Sequence, residues 1–200
     1  MAGFLLANGA LNDSDTIEIR KNLLKNDKVE AIITLPRDLF IKTDISVTMW
    51  ILNQNKKGGN YHGRTLRNRE HEILFMDLRQ WRENTVKPEP GSGSKKKIIL
   101  LPEQISRAAE IYHNWQMEGT DGTNYEIPES YRSVPLSEIE GKNWTLIPSK
   151  YIEFVDHDLD IDYPKEMVKI QEEMKNLLAE EKESQVNLIE AFKGIGYGIE

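Results

Sequence analysis

The 200-residue chain has no cysteine, which excludes disulfides, thiol catalysis and thiolate metal sites. No apolar run approaches the roughly 20 residues needed to span a membrane, and no signal peptide follows Met1. A cytoplasmic setting is therefore expected. The four histidines (His62, His71, His113, His157) show no ligand spacing and read as surface or packing residues.

What is abundant is charge, and it is unevenly spread. Residues 1–100 carry 17 Lys and Arg against 12 Asp and Glu, and residues 101–200 carry 9 against 21. A mildly basic half joined to a strongly acidic one predicts different neighbours for each, with nucleic acid conceivable only for the first.

Apolar patterning outlines an α/β chain. Ala2 to Leu11 is a short apolar run ending in Asn8-Gly9, the pattern of a buried strand entering a turn. Asp15 and Glu18 have capping-box-like spacing before a helix over about residues 16–26. Val29–Leu35, closed by Pro36, reads as a strand and completes a βαβ unit. Leu39-Phe40-Ile41 falls on the following loop, Ile45–Leu52 reads as another strand, and Ile73–Leu78 as its partner. The first 80 residues thus form one edge of a sheet.

Residues 83–97, with Gly91-Ser92-Gly93-Ser94 and a lysine run, have the composition of a flexible linker. Pro102 opens a helix over 103–116 whose apolar face is Ile105, Ala108, Ala109, Tyr112 and Trp115. Met117–Pro135 reads as irregular, Ser137 to Gly141 as a short helical turn, and 144–148 and 151–152 as short extended segments. Residues 164–193 form a long helix. Its apolar residues Met167, Ile170, Met174, Leu177, Leu178, Leu188, Ile189 and Phe192 lie mostly three or four apart.

Four features invite a chemical reading. Glu89-Pro90-Gly91-Ser92-Gly93-Ser94 has the glycines of a cofactor loop but no strand before it and no helix after it, so it reads as linker. Asp156 to Asp162 alternates acids with Leu159 and Ile161. It lacks the glycine and glutamate of a calcium loop, and reads as a half-exposed edge. Lys56, Lys57, Arg64, Arg67 and Arg69, with Tyr61 and His62 among them, are candidate contacts to DNA phosphates, set against the plainer reading of a solvated hairpin tip. Met167, Ile170, Met174, Leu177, Leu188 and Phe192 are a candidate subunit interface.

Gly3–Gly9, Glu18–Leu23, Val29–Pro36, Leu39-Phe40, Ile45–Leu52, Ile73–Asp77, Ile111–Trp115 and Trp144–Tyr151, in this order, resemble the C-terminal part of the methylation subunit of type I restriction–modification systems. The resemblance implies a partial Rossmann-like methyltransferase sheet (its closing strands), then a mainly α-helical C-terminal region with a long terminal helix. It implies the divisions 1–82 (sheet portion), 83–97 (linker), 98–163 (helical and irregular tail) and 164–200 (subunit-interaction helix). The family transfers methyl groups from S-adenosylmethionine to adenine N6 in double-stranded DNA. Its members work with a specificity subunit, a second methylation subunit and a motor–nuclease subunit. In that family the cofactor and catalytic loops precede the segment matched here. No Pro-Pro pair of the Asn/Asp-Pro-Pro-Tyr/Phe catalytic loop occurs in this chain, so no catalytic, cofactor-binding or metal-ligating residue is carried over. The alternative is a non-enzymatic interaction module using the acidic tail and terminal helix.

Overall fold

Val29–Thr34 is a strand in which all six residues are buried, as its nearly unbroken apolar run requires of a strand covered on both faces. The computed structural model describes residues 1–40, 44–86, 96–155 and 162–197. In chain order its elements are β1 (Ala2–Ala7), α1 (Ile17–Lys25), β2 (Val29–Thr34), β3 (Val47–Leu52), β4 (Gly59–Tyr61), β5 (Arg64–Leu66) and β6 (Glu72–Asp77). They continue with β7 (Thr85–Val86), β8 (Lys97–Ile98), α2 (Pro102–Gln116), β9 (Glu126–Ile127), β10 (Tyr131–Pro135), α3 (Leu136–Gly141) and α4 (Tyr163–Gly194).

Six strands form one mixed sheet in the order β1-β3-β2-β6-β10-β9. β2 and β6 are parallel, while β3 runs antiparallel to both β1 and β2. β1 and β2 therefore point the same way, as expected, but β3 is threaded between them. Ile73–Leu78 was expected beside β3; it pairs instead with β2 and β10. Composition specifies a strand and says nothing of its neighbour, and the connection from β2 is long enough for β3 to return antiparallel.

β10 lies in the stretch expected to be irregular. Its buried residues are Ser133 and Val134, so apolar alternation does not mark it. β1 has the apolar run of a buried strand, and all six of its residues are exposed at the edge of the sheet.

Helices and loops cover both faces. On one face Ile32, Trp50, Phe75 and Val134 pack with Leu24 of α1, Ile139 of α3 and the turn residues Trp144, Leu146, Tyr151 and Ile152. Phe75 and Tyr151 stack with ring centroids 4.5 Å apart. On the other, Ala31, Ile33, Leu74 and Met76 pack against Ile111, Tyr112 and Trp115 of α2. Each such large side chain contributes about 1.5–3 kcal/mol by leaving water. α2 buries only the side chains of its last two turns, so Ile105 is exposed, contrary to its place on the expected apolar face.

Local details also differ from expectation. Asp13, not Asp15, supplies the cap: its carboxylate accepts from the Asp15 amide at 3.3 Å, opening a 3-10 turn that leads into α1. Residues 144–152 are not extended strands but a turn and a 3-10 helix, Pro148–Lys150. The stretch 83–97 begins and ends on the antiparallel β7–β8 ribbon; residues 87–95, with the Glu89–Ser94 segment, lie outside the described residues.

The chain divides into two compact units, Met1–Val155 and Asp156–Glu200. The second contains α4, whose 32 residues start with Asp162 accepting from the Lys165 amide at 3.3 Å and with Pro164 in the first turn. None of its residues is buried within this chain. Residues 156–161, most of the alternating acidic segment, lie outside the described residues.

Candidate functional site

The five candidate cations fall between β3 and β6, and the fold separates them. β4 and β5 form a hairpin closed by His62 and Gly63, both at positive φ (49° and 77°), as a tight two-residue hairpin turn requires. Tyr61 meets His62 edge to face at 4.4 Å. At the hairpin's base, Gly58 has φ 86°, and a Cβ there would lie 2.5 Å from the Leu66 carbonyl oxygen, so only glycine fits. Lys57 and Arg64 are exposed, with Lys57 Nζ 4.0 Å from Glu70.

The other three are turned to the interior, where their donors meet other groups of this chain. Lys56 is 1% exposed, and its ammonium donates to Asp27 Oδ1 (2.6 Å), Glu72 O (2.7 Å) and Val29 O (3.0 Å), using all three protons. Burial pushes that ammonium below its ordinary value of 10.5, against the pull of Asp27, which raises it. Arg69 is 0% exposed and pairs through Nε with Glu30 at 3.0 Å. Arg67 forks onto Glu72 (3.2 and 2.8 Å), donates to the Trp115 carbonyl at 2.7 Å and lies over the Trp115 ring.

Glu30 is the centre of this arrangement, and sequence reading missed it. It sits in β2, fully buried, and accepts from Arg69, Asn53 Nδ2 (2.7 Å), Tyr112 Oη (2.9 Å) and Gln116 Nε2 (3.1 Å). A carboxylate has about four lone-pair sites, and all four are met. A lone acid in an apolar strand was the available signal, since such a residue requires partners. Burial and the charge of Glu30 hold the Tyr112 phenol protonated well above its ordinary range.

Asn53, Tyr112 and Gln116 also line a cleft of about 340 Å³, with Tyr61 and Arg64 of the hairpin and His113 of α2 at its wall. Burial, then the Arg64 charge, pushes the His113 imidazole below its ordinary value. Among the described residues no three His, Asp or Glu side chains are grouped to hold a metal, and no helix is long and apolar enough to cross a membrane.

In the second unit, Met167, Ile170, Met174, Leu177 and Leu188, five of the six candidate interface residues, are 45–61% exposed; Phe192 is half-buried.

Comparison with known proteins places these features in a family. The model of the N-6 DNA methylase family matches residues 1–160. The HindI type I restriction enzyme methylase subunit of Haemophilus influenzae is 29% identical over 96% of this chain and 39% of its own length. The MjaIX methylase subunit of Methanocaldococcus jannaschii is 25% identical over 98% of this chain and 32% of its own. The solved methyltransferase subunit of a Streptococcus thermophilus type I restriction–modification system shares the fold, with TM-score 0.55 and 21% identity over 76% of this chain and 26% of that one. The chain thus spans about two-fifths or less of the length of these relatives. Matched over four-fifths of its length, the chain belongs to the N-6 DNA methylase family.

Proposed function

We propose that these 200 residues are the non-catalytic, assembly-forming part of a type I methylation subunit, a cytoplasmic enzyme that methylates adenine N6 in DNA with S-adenosylmethionine. The observation that carries this is the co-linear match over 96% of the chain to only 39% of a methylase subunit. The chemistry is assigned to other residues of that subunit. Among the described residues, the element that follows the Glu89–Ser94 segment is strand β8, where a cofactor loop needs a helix N-terminus to receive it. No catalytic step is therefore derived within this chain.

Two surfaces serve the assembly in this reading. α4 docks on helices of the specificity subunit, with the second methylation subunit and the motor–nuclease subunit joining the complex. Lys57 and Arg64, the two hairpin cations left outside the interior, contact DNA phosphates. The test is transfer of labelled methyl groups to duplex DNA. No transfer is expected from this chain alone, and transfer is expected once the remaining part of the methylation subunit and the specificity subunit are added. Turnover by the isolated chain would overturn the proposal.

A further inference from the structure

β1, β2 and β6 run in one direction, so their carboxyl ends share a rim of the sheet. In open α/β sheets, ligands bind in the crevice outside that rim. Register aligns Leu6, Thr48, Thr34 and Asp77 across β1, β3, β2 and β6, and the last three are buried polar residues. Near the other end of β2, Glu30 receives four donors. At this end Thr34 is 4% exposed, and its hydroxyl has no partner among the described residues. Buried hydroxyls are nearly always paired, so this one calls for a partner, an ordered water or a bound group.

Thr34 lines a cavity of about 140 Å³ with Asn8, Arg79 and Ser149, walled by Leu11 and Ile147. Every polar side chain lining it can donate a hydrogen bond. The Asn8 amide oxygen is taken by Thr48 (3.3 Å), which leaves its NH₂. Asp77 is occupied by Arg79 through Nε and Nη2, leaving Nη1 uncommitted among the described residues. The cavity holds several times the roughly 30 Å³ share of one water. It falls short of the roughly 300–1,000 Å³ of a drug-sized ligand's pocket. A tetrahedral oxyanion fits both the size and the donor set, and such side chains are those that grip DNA phosphates.

We infer that this cavity holds one phosphodiester group of a DNA strand, gripped by Thr34 Oγ1, the Asn8 amide, Ser149 Oγ and Arg79 Nη1. The inference rests on the DNA-acting reading above. It names a site toward the opposite end of β2 from Glu30, roughly 13 Å away along the strand.

The test follows amide resonances of the full chain during titration with a DNA duplex and, separately, with inorganic phosphate. The duplex is expected to shift Asn8, Thr34, Arg79 and Ser149. Thr34→Val and Ser149→Ala should each weaken duplex affinity about threefold to tenfold, equally across sequences and with the salt slope unchanged. Arg79→Gln, compared within an Asp77→Asn background so that no carboxylate is stranded, should also lower the slope by about one. Shifts with inorganic phosphate but none with duplex overturn the DNA assignment. Folded variants with unchanged duplex affinity, or no shift with either probe, overturn the site. Methyl transfer by the reconstituted enzyme is scored separately, so neutral variants in an active enzyme sink the site and leave the functional reading standing.

Discussion

Residue by residue, the cations after β3 show how identical side chains acquire opposite roles. Arg69 and Arg64 differ in nothing a local window can read. Arg69 is interior because Glu30, 39 positions earlier, sits beside it once β2 and β6 pair. Replacing Arg69 with Met strands a buried carboxylate and should lower stability by about 3–5 kcal/mol, read from a denaturant midpoint, with the salt dependence of DNA binding unmoved. The double change Lys57→Ala and Arg64→Ala should do the reverse. It leaves stability within about 0.5 kcal/mol and, in the assembled complex, reduces the salt slope by about 0.9 per lost contact. A fall in midpoint for the exposed pair, or none for Arg69, contradicts the division drawn between them.

Among the elements, strands and helices carrying their own apolar pattern were legible from sequence: α1, β2, β3, β6, α2 and α4 all form near their expected bounds. What was not legible was adjacency, because pairing is decided by distant partners. β10 was invisible for a related reason: Ser133 is buried by its contacts with Trp115 Nε1 (2.9 Å) and Glu72 Oε2 (3.3 Å), not by apolarity. Of the candidate site, the hairpin cations were visible, while the Glu30 network and the Thr34 cavity required the fold. α4 supplies the element-level test. On the proposed docking role, deleting residues 164–200 should abolish co-purification with a specificity subunit. Retained binding refutes the docking role.

For the whole molecule, the two units divide the charge differently from the two halves. Residues 1–155 carry 21 cations and 21 anions, and residues 156–200 carry 5 and 12, so the net −7 resides in the second unit. The first unit has a distinct alkaline liability. Burial, in each case the largest cause, holds the Tyr112, Tyr125 and Tyr151 phenols above the ordinary value of 10.0. Above pH 10 the unfolded chain releases these protons while the folded chain keeps them, so stability falls as pH rises further. Lys56 acts the other way: its depressed folded value makes stability rise with pH up to 10.5. Three groups oppose one, and the expected net result is a denaturant midpoint that drops above pH 10. Tyr151→Phe should make that drop shallower; an unchanged slope for this variant counts against the account.

The threading of β3 between β1 and β2 also sets an order of events during synthesis. Among the described residues β1 pairs with β3, which begins 40 residues after β1 ends. At about 5–20 residues per second, β1 waits several seconds for that partner. α1 and β2 emerge before it can be captured. β1 is thus joined to this part of the sheet only after β2 has been made.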